Sequence, residues 1–153
     1  MTSDEILAMK PGKELDALVA EKVMGWTWAE TDSGLEGLFP PQEFAIHGFK
    51  PIHIFNDLGH LHGMPEYSTD ITEAWEVIDA MQTEGWAHCV NSVQNHNYPQ
   101  GIRHCCFSRP KDHIQEVDVP YISSEDKVFI HGHAKTTPDA ICKAALLTKD
   151  AQL

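Results

Sequence analysis

PEYSTDITEAWEVIDAM, residues 65–81, is the stretch around which the chain is organised. Pro65 interrupts whatever precedes it, and Ser68, Thr69 and Asp70 are all good N-cap residues. Asp70 followed by Glu73 has the spacing of a capping box. From there Ile71, Ala74, Trp75 and Ile78 recur at i, i+3, i+4 and i+7, one apolar stripe of a helix. Trp75 is the largest group on that stripe and is expected to anchor the core.

Outward from this helix, Ser3 is expected to cap a short turn over SDEILAM, which Pro11 and Gly12 interrupt. Lys13 to Met24 reads as the first full helix, with Leu15, Leu18, Val19 and Val23 as its apolar stripe. Gly25 stands where a left-handed C-terminal cap is expected. The segment at about 26–63 is rich in Gly, Pro, His and aromatics. It reads as an elaborated irregular stretch that opens with a short strand carrying Trp26 and Trp28 on one face. Pro40-Pro41 marks a turn in it, and Gly48 and Pro51 argue against one long strand between Phe44 and Phe55.

Past the organising helix, Gly85 ends the 3.6-residue period and a two-residue period begins. Trp86 to Asn95 and Arg103 to Arg109 read as an antiparallel hairpin. In the second strand Arg103, Cys105, Phe107 and Arg109 share one face, with His104, Cys106 and Ser108 on the other. Pro110 to Glu125 is a polar connection, and Lys127 to Ala134 is a further strand. Thr137 with Pro138 behind it marks the start of a last helix. Ala140 to Leu147 is apolar nearly all round, so that helix is expected to be buried on several sides. The order predicts an α+β fold, a small antiparallel sheet of about three to four strands with helices packed against it.

The totals constrain function. At 153 residues, with 42% hydrophobic and 22% charged residues, the chain reads as one globular domain over 1–153. No apolar run approaches the roughly 20 residues that span a bilayer. The first residues, MTSDEILAMKPGKELD, are acidic and lack an apolar core, so a secretory signal is not expected and a cytoplasmic location is. Acidic residues outnumber basic ones 23 to 11, a formal net charge of −12. That excess argues against DNA, RNA or anionic membranes as partners, since those demand a basic face. Cys89, Cys105, Cys106 and Cys142 show no C-x-x-C spacing and are expected as free, mostly buried thiols.

Three blocks taken together, ELDALVAEKVMGW (14–26), PEYSTDITEAWEVIDAM (65–81) and TTPDAICKAALLT (136–148), resemble the phage ABA sandwich domain family of bacteriophages and prophages. The resemblance implies a three-layer α–β–α sandwich, a phage origin and residence in the cytoplasm of the infected or lysogenic bacterial host. It transfers no catalytic residue, because the matched positions are mainly helix cores and caps. The segments at 26–63 and 95–101 are long beside the family pattern.

Candidate chemistry is weighed residue by residue. His60-x-His62 and His131-x-His133 each put two imidazoles on one strand face, a spacing compatible with chelation. The plainer reading is surface histidine, and no metal or other cofactor is expected. His88-Cys89 and His104-Cys105 are sequence neighbours on strands, so they point to opposite faces and do not suggest a nucleophile pair. Carboxylates lie mainly on solvated helix faces, and the glycines form no phosphate loop. The constellation that suggests binding combines three kinds of group. Trp26, Trp28 and Tyr67 offer aromatic faces. Arg103, Arg109 and Lys111 offer cations. Ser68, Thr69, Thr136 and Thr137 decorate two helix starts, where backbone donors favour anions. The competing reading of each is a core aromatic, a surface charge or a simple helix cap.

The phage resemblance motivates, and these residues permit, the expectation of a non-enzymatic protein that binds a small ligand, a nucleotide-derived signal of host immunity held by sequestration in an anti-defence role. A homo-oligomer is expected with it, because a pocket between subunits encloses more than one small domain can. The alternative is a protein-binding inhibitor or structural phage protein, and a weaker one is a metal-dependent hydrolase.

Overall fold

The structure is a computed structural model that describes residues 1–30, 36–41, 64–94, 100–110, 121–123 and 127–151. The elements in order are α1 (Ser3–Ala8), α2 (Lys13–Lys22), β1 (Thr27–Glu30), β2 (Glu36–Phe39), α3 (Ile71–Thr83), β3 (Ala87–Val93), β4 (Ile102–Pro110), β5 (Tyr121–Ser123), β6 (Lys127–Ala134) and α4 (Thr137–Asp150). The architecture is α+β. A four-stranded antiparallel sheet runs in the order β3-β4-β6-β5, and a separate hairpin pairs β1 with β2.

Local chemistry explains the element ends. Thr2, rather than Ser3, caps α1 in a reciprocal capping box with Glu5. Helix α2 stops at Lys22. Gly25 follows at φ 73°, and the Trp26 amide reaches back six residues to the Ala20 carbonyl at 2.9 Å. The Asp70 carboxylate accepts from the Thr72 and Glu73 amides at 2.7 and 3.3 Å, so it caps α3 as its position predicts. Thr136, one residue earlier than expected, is the N-cap of α4, and Pro138 sits in the first turn.

Helix α4 is the centre of the molecule. Every residue from Pro138 to Thr148 is buried, as its all-round apolar sequence predicts. One side of α4 packs on β6 and β4, where Gly132 comes so close that a Cβ there would lie 2.4 Å from the Ala140 carbonyl oxygen. Helices α1, α2 and α3 pack around its other sides. The inner face of the sheet supplies Cys105, Phe107, Val128 and Ile130 to this core.

Three sequence expectations change. Trp75 does not anchor the core: it is 43% exposed and Ile71 is 44% exposed. The buried stripe of α3 is Ala74, Val77, Ile78 and Met81, rotated so that Ile71 and Trp75 of the predicted stripe reach the solvent while Ala74 and Ile78 stay buried. Trp86, just past the helix, is the tryptophan fully buried instead. The start of the 26–63 segment is a regular hairpin, with Thr27 opposite Phe39 and Trp28 opposite Leu38. The connection between β4 and β6 contains β5, which closes the sheet on that side. Phe44 to Phe55 and the His60-x-His62 pair lie outside the described residues.

Candidate functional site

Antiparallel register builds the densest group of polar side chains on the sheet. His104 of β4 lies opposite Asn91 of β3 on one side and His133 of β6 on the other. Cys106 lies opposite His131 and Cys89 in the same way. Alternation puts all of these on the face turned away from α4. The two imidazoles of His131-x-His133 do share that face, as their spacing predicts.

The rings form a stack. The His104 centroid is 4.9 Å from that of His131 and 4.8 Å from that of His133, with planes 22° and 29° apart. Phe129 extends the row, 6.5 Å from His131. A hydrogen-bond chain fixes the tautomers. Asn91 Oδ1 only accepts, so His104 Nδ1–H donates to it at 3.1 Å. His104 Nε2 then accepts from His131 Nδ1–H at 2.6 Å. That leaves a lone pair on His131 Nε2, which is buried and has no hydrogen-bond partner among the described residues.

Burial holds all three imidazoles below their usual protonation range. For His104 and His131 the neighbouring rings add to the effect. The face is therefore an uncharged aromatic platform at neutral pH. It is poorly shaped for a metal ion. Nearly parallel rings keep their nitrogen lone pairs in parallel planes, whereas a tetrahedral ion needs them to converge. Among the described residues no group of three or more His, Cys, Asp or Glu could hold a metal ion.

Burial keeps three of the four thiols, Cys105, Cys106 and Cys142, in the protonated form. Burial pushes Cys105 up to about 12 and Cys106 up to about 11, and raises Cys142 as well. A nucleophilic cysteine needs the reverse shift. His104 and Cys105 point to opposite faces of β4, as do His88 and Cys89 on β3.

The residues picked out for ligand binding fall into four places. Trp26 and Tyr67 are core side chains, 8% and 1% exposed. Ser68 is buried too: its amide donates to Asp16 Oδ1 at 2.7 Å, and its Oγ accepts from the Gly12 amide at 2.8 Å. Thr69 is exposed beside it and bonds to Glu66. Trp28 is half-exposed, with Nε1 donating to Glu21 at 3.2 Å. Arg109, at the far end of β4, lies over the Trp86 ring at 5.7 Å. Arg103 is exposed at the near end, opposite Ala134. That register brings Arg103 to the end of the sheet where Thr136 and Thr137 begin α4, and Thr136 makes no side-chain capping bond. Arg103, Thr136 and Thr137 thus gather at one end, whereas Trp26, Tyr67, Ser68 and Arg109 are absorbed into packing elsewhere. Lys111 lies outside the described residues.

Sequence reading missed Asn91, His104 and Phe129 as partners of His131 and His133. The His-x-His spacing was visible, but the cross-strand neighbours depend on register. A small antiparallel sheet with helices layered on it defines an α+β sandwich domain. The family model described as the Phage ABA sandwich domain matches residues 17–146, and the chain belongs to that family. Neither the curated proteins nor the solved structures gave a match. No helix among the described residues is long and apolar enough to cross a membrane.

Proposed function

We propose that this phage-family protein acts by binding and holding a small nucleotide-derived ligand, a signal of host defence, without turning it over. One observation carries this reading. The cross-strand pair His104–His133 and the pair Arg103–Ala134 are consecutive steps of the same ladder. Consecutive steps face opposite sides of the sheet, so the flat stack of neutral rings lies on one face and the exposed guanidinium and helix start on the other, and a ligand that reaches both wraps the end of the sheet. A nucleotide asks for those three things: a surface on which a base stacks, a cation for a phosphate, and backbone donors at a helix N-terminus.

Arg103, Thr136 and Thr137 are the ligand-binding residues of this reading, with His104, His131 and His133 as the platform. Trp26, Tyr67 and Ser68 support it from the core. The raised thiols favour retention over covalent turnover. Lys135, exposed next to Thr136, adds a second cation at an end of an otherwise acidic chain.

The test is a mixing assay with a panel of cyclic and ADP-ribose-type nucleotides. The protein is incubated with each, removed by filtration, and the filtrate assayed before and after heating the mixture. Loss with full recovery on heating is expected for one compound, and Arg103→Ala should weaken it at least tenfold. Loss without recovery would mean hydrolysis. No loss for any compound would sink the reading and favour a protein partner.

A further inference from the structure

We infer that a second copy of this chain docks along the free edge of β3, joining two four-stranded sheets into one of eight strands about a two-fold axis. Three observations converge on that edge.

The first is the strand itself. Strand β3 ends the sheet order, and among the described residues it pairs with β4 alone. Its sequence, AHCVNSV, contains no charged residue and no proline. Edge strands that remain unpaired are usually guarded by lysine, proline or a bulge, because their open N–H and C=O groups are a template for another strand. This one is unguarded over seven residues.

The second is the apolar flank beside it. Ile71, Trp75 and Gln82 lie at i, i+4 and i+11 on one side of α3. That side adjoins β3: the Trp75 ring meets His88 edge-on at 5.9 Å, and Gln82 Nε2 lies 3.2 Å from His88 Nδ1. Ile71 and Trp75 are large apolar groups left 44% and 43% exposed on a helix whose other large apolar groups are buried. In a sheet continued across the two-fold, the α3 helices of both copies lie on one face, and these side chains fill the groove between them.

The third is self-complementarity, which selects a second copy over an unrelated strand. An axis at Val90 puts Val90 opposite Val90 and His88 opposite Ser92. Apolar meets apolar, and an imidazole meets a hydroxyl. Each chain carries a net charge of −12, so two copies repel over most of their surface. They meet with least cost where charge is missing. Glu76 lies further round α3, toward solvent and away from that seam.

Sedimentation equilibrium of the full chain tests this, independently of any nucleotide. The expected mass is twice 17.1 kDa at micromolar concentration. Ser92→Lys, at an exposed edge position, and Trp75→Glu, at an exposed helix position, should each raise the dimer dissociation constant more than tenfold. Trp28→Ala, on the separate hairpin, should leave it unchanged. Circular dichroism melting above 20 °C would confirm that the variants remain folded. A wild-type monomer throughout would overturn the inference, and so would a dimer that both edge variants leave intact.

Discussion

His104 and His131 face each other across the β4–β6 ladder, with His104 Nε2 accepting from His131 Nδ1–H at 2.6 Å. The bond needs one of the two facing nitrogens unprotonated, and is lost when both rings are charged. His133, stacked on His104 at 4.8 Å, brings a third ring whose protonation burial also disfavours. The sheet face is thus tied to the neutral state of three side chains.

That tie sets the direction of a pH effect. The folded chain holds these imidazoles below their ordinary value of 6.5, so between the folded and unfolded values the unfolded chain binds more protons. Stability should be full above pH 7 and fall as pH drops through 6.5 toward the folded values. Urea denaturation at pH 7.5, 6.5 and 5.5 checks this. His104→Asn should flatten the decline, and an unchanged slope in that variant would refute the assignment.

Gly132 predicts a large steric effect from one methyl group. A Cβ there meets Ala140 O at 2.4 Å and Ala144 N at 2.5 Å, both backbone atoms of α4. Gly132→Ala should destabilise by about 3 kcal/mol, at the upper end for overpacking, because neither atom can swing aside. Denaturant titration of the purified variant gives the number.

Lys143 and Asp139 form an i,i+4 ion pair at 3.1 Å, both side chains almost wholly buried in α4. Lys143→Met strands a carboxyl in the core and should cost about 3–5 kcal/mol. The double variant Asp139→Leu/Lys143→Met removes both charges and should recover most of the loss. Equal stability of the single and double variants would contradict this.

Trp75 within α3 and Trp86 just past its end should respond oppositely. Trp86→Ala removes a buried ring and should cost about 3–5 kcal/mol. Trp75→Ala removes a half-exposed ring and should change monomer stability by under about 1 kcal/mol. Thermal melts of the pair, at concentrations below self-association, separate them.

Ser68 joins two helices. Its Oγ accepts from the Gly12 amide at the start of α2, and its own amide donates to Asp16. Ser68→Ala should cost about 1–3 kcal/mol by leaving the Gly12 amide unpaired. Urea denaturation of the variant measures it. Thr69→Ala, exposed next door, should cost far less.

Much of this fold could be read along the chain because its causes are local. The Asp70 cap, the Gly25 turn, the 127–134 strand and the all-round apolar α4 depend on residues within one or two turns of each other. The period change after Gly85 separates helix from sheet in the same way. The family resemblance came from three such local blocks and holds over residues 17–146.

Tertiary structure decided the rest, for reasons that spacing cannot express. A helical stripe states which residues share a side, not where the neighbouring helix and sheet stop, so Trp75 fell at the boundary and Trp86 took the core. Alternation put His104, His131 and His133 on strand faces, but only the pairing of β4 with β6 made them one stack. Tyr67 and Ser68 looked like ligand groups at a helix start until α2 brought Asp16 and Gly12 against them. Residue type and period belong to the chain by itself, whereas neighbours far apart in sequence exist only once register and packing are set.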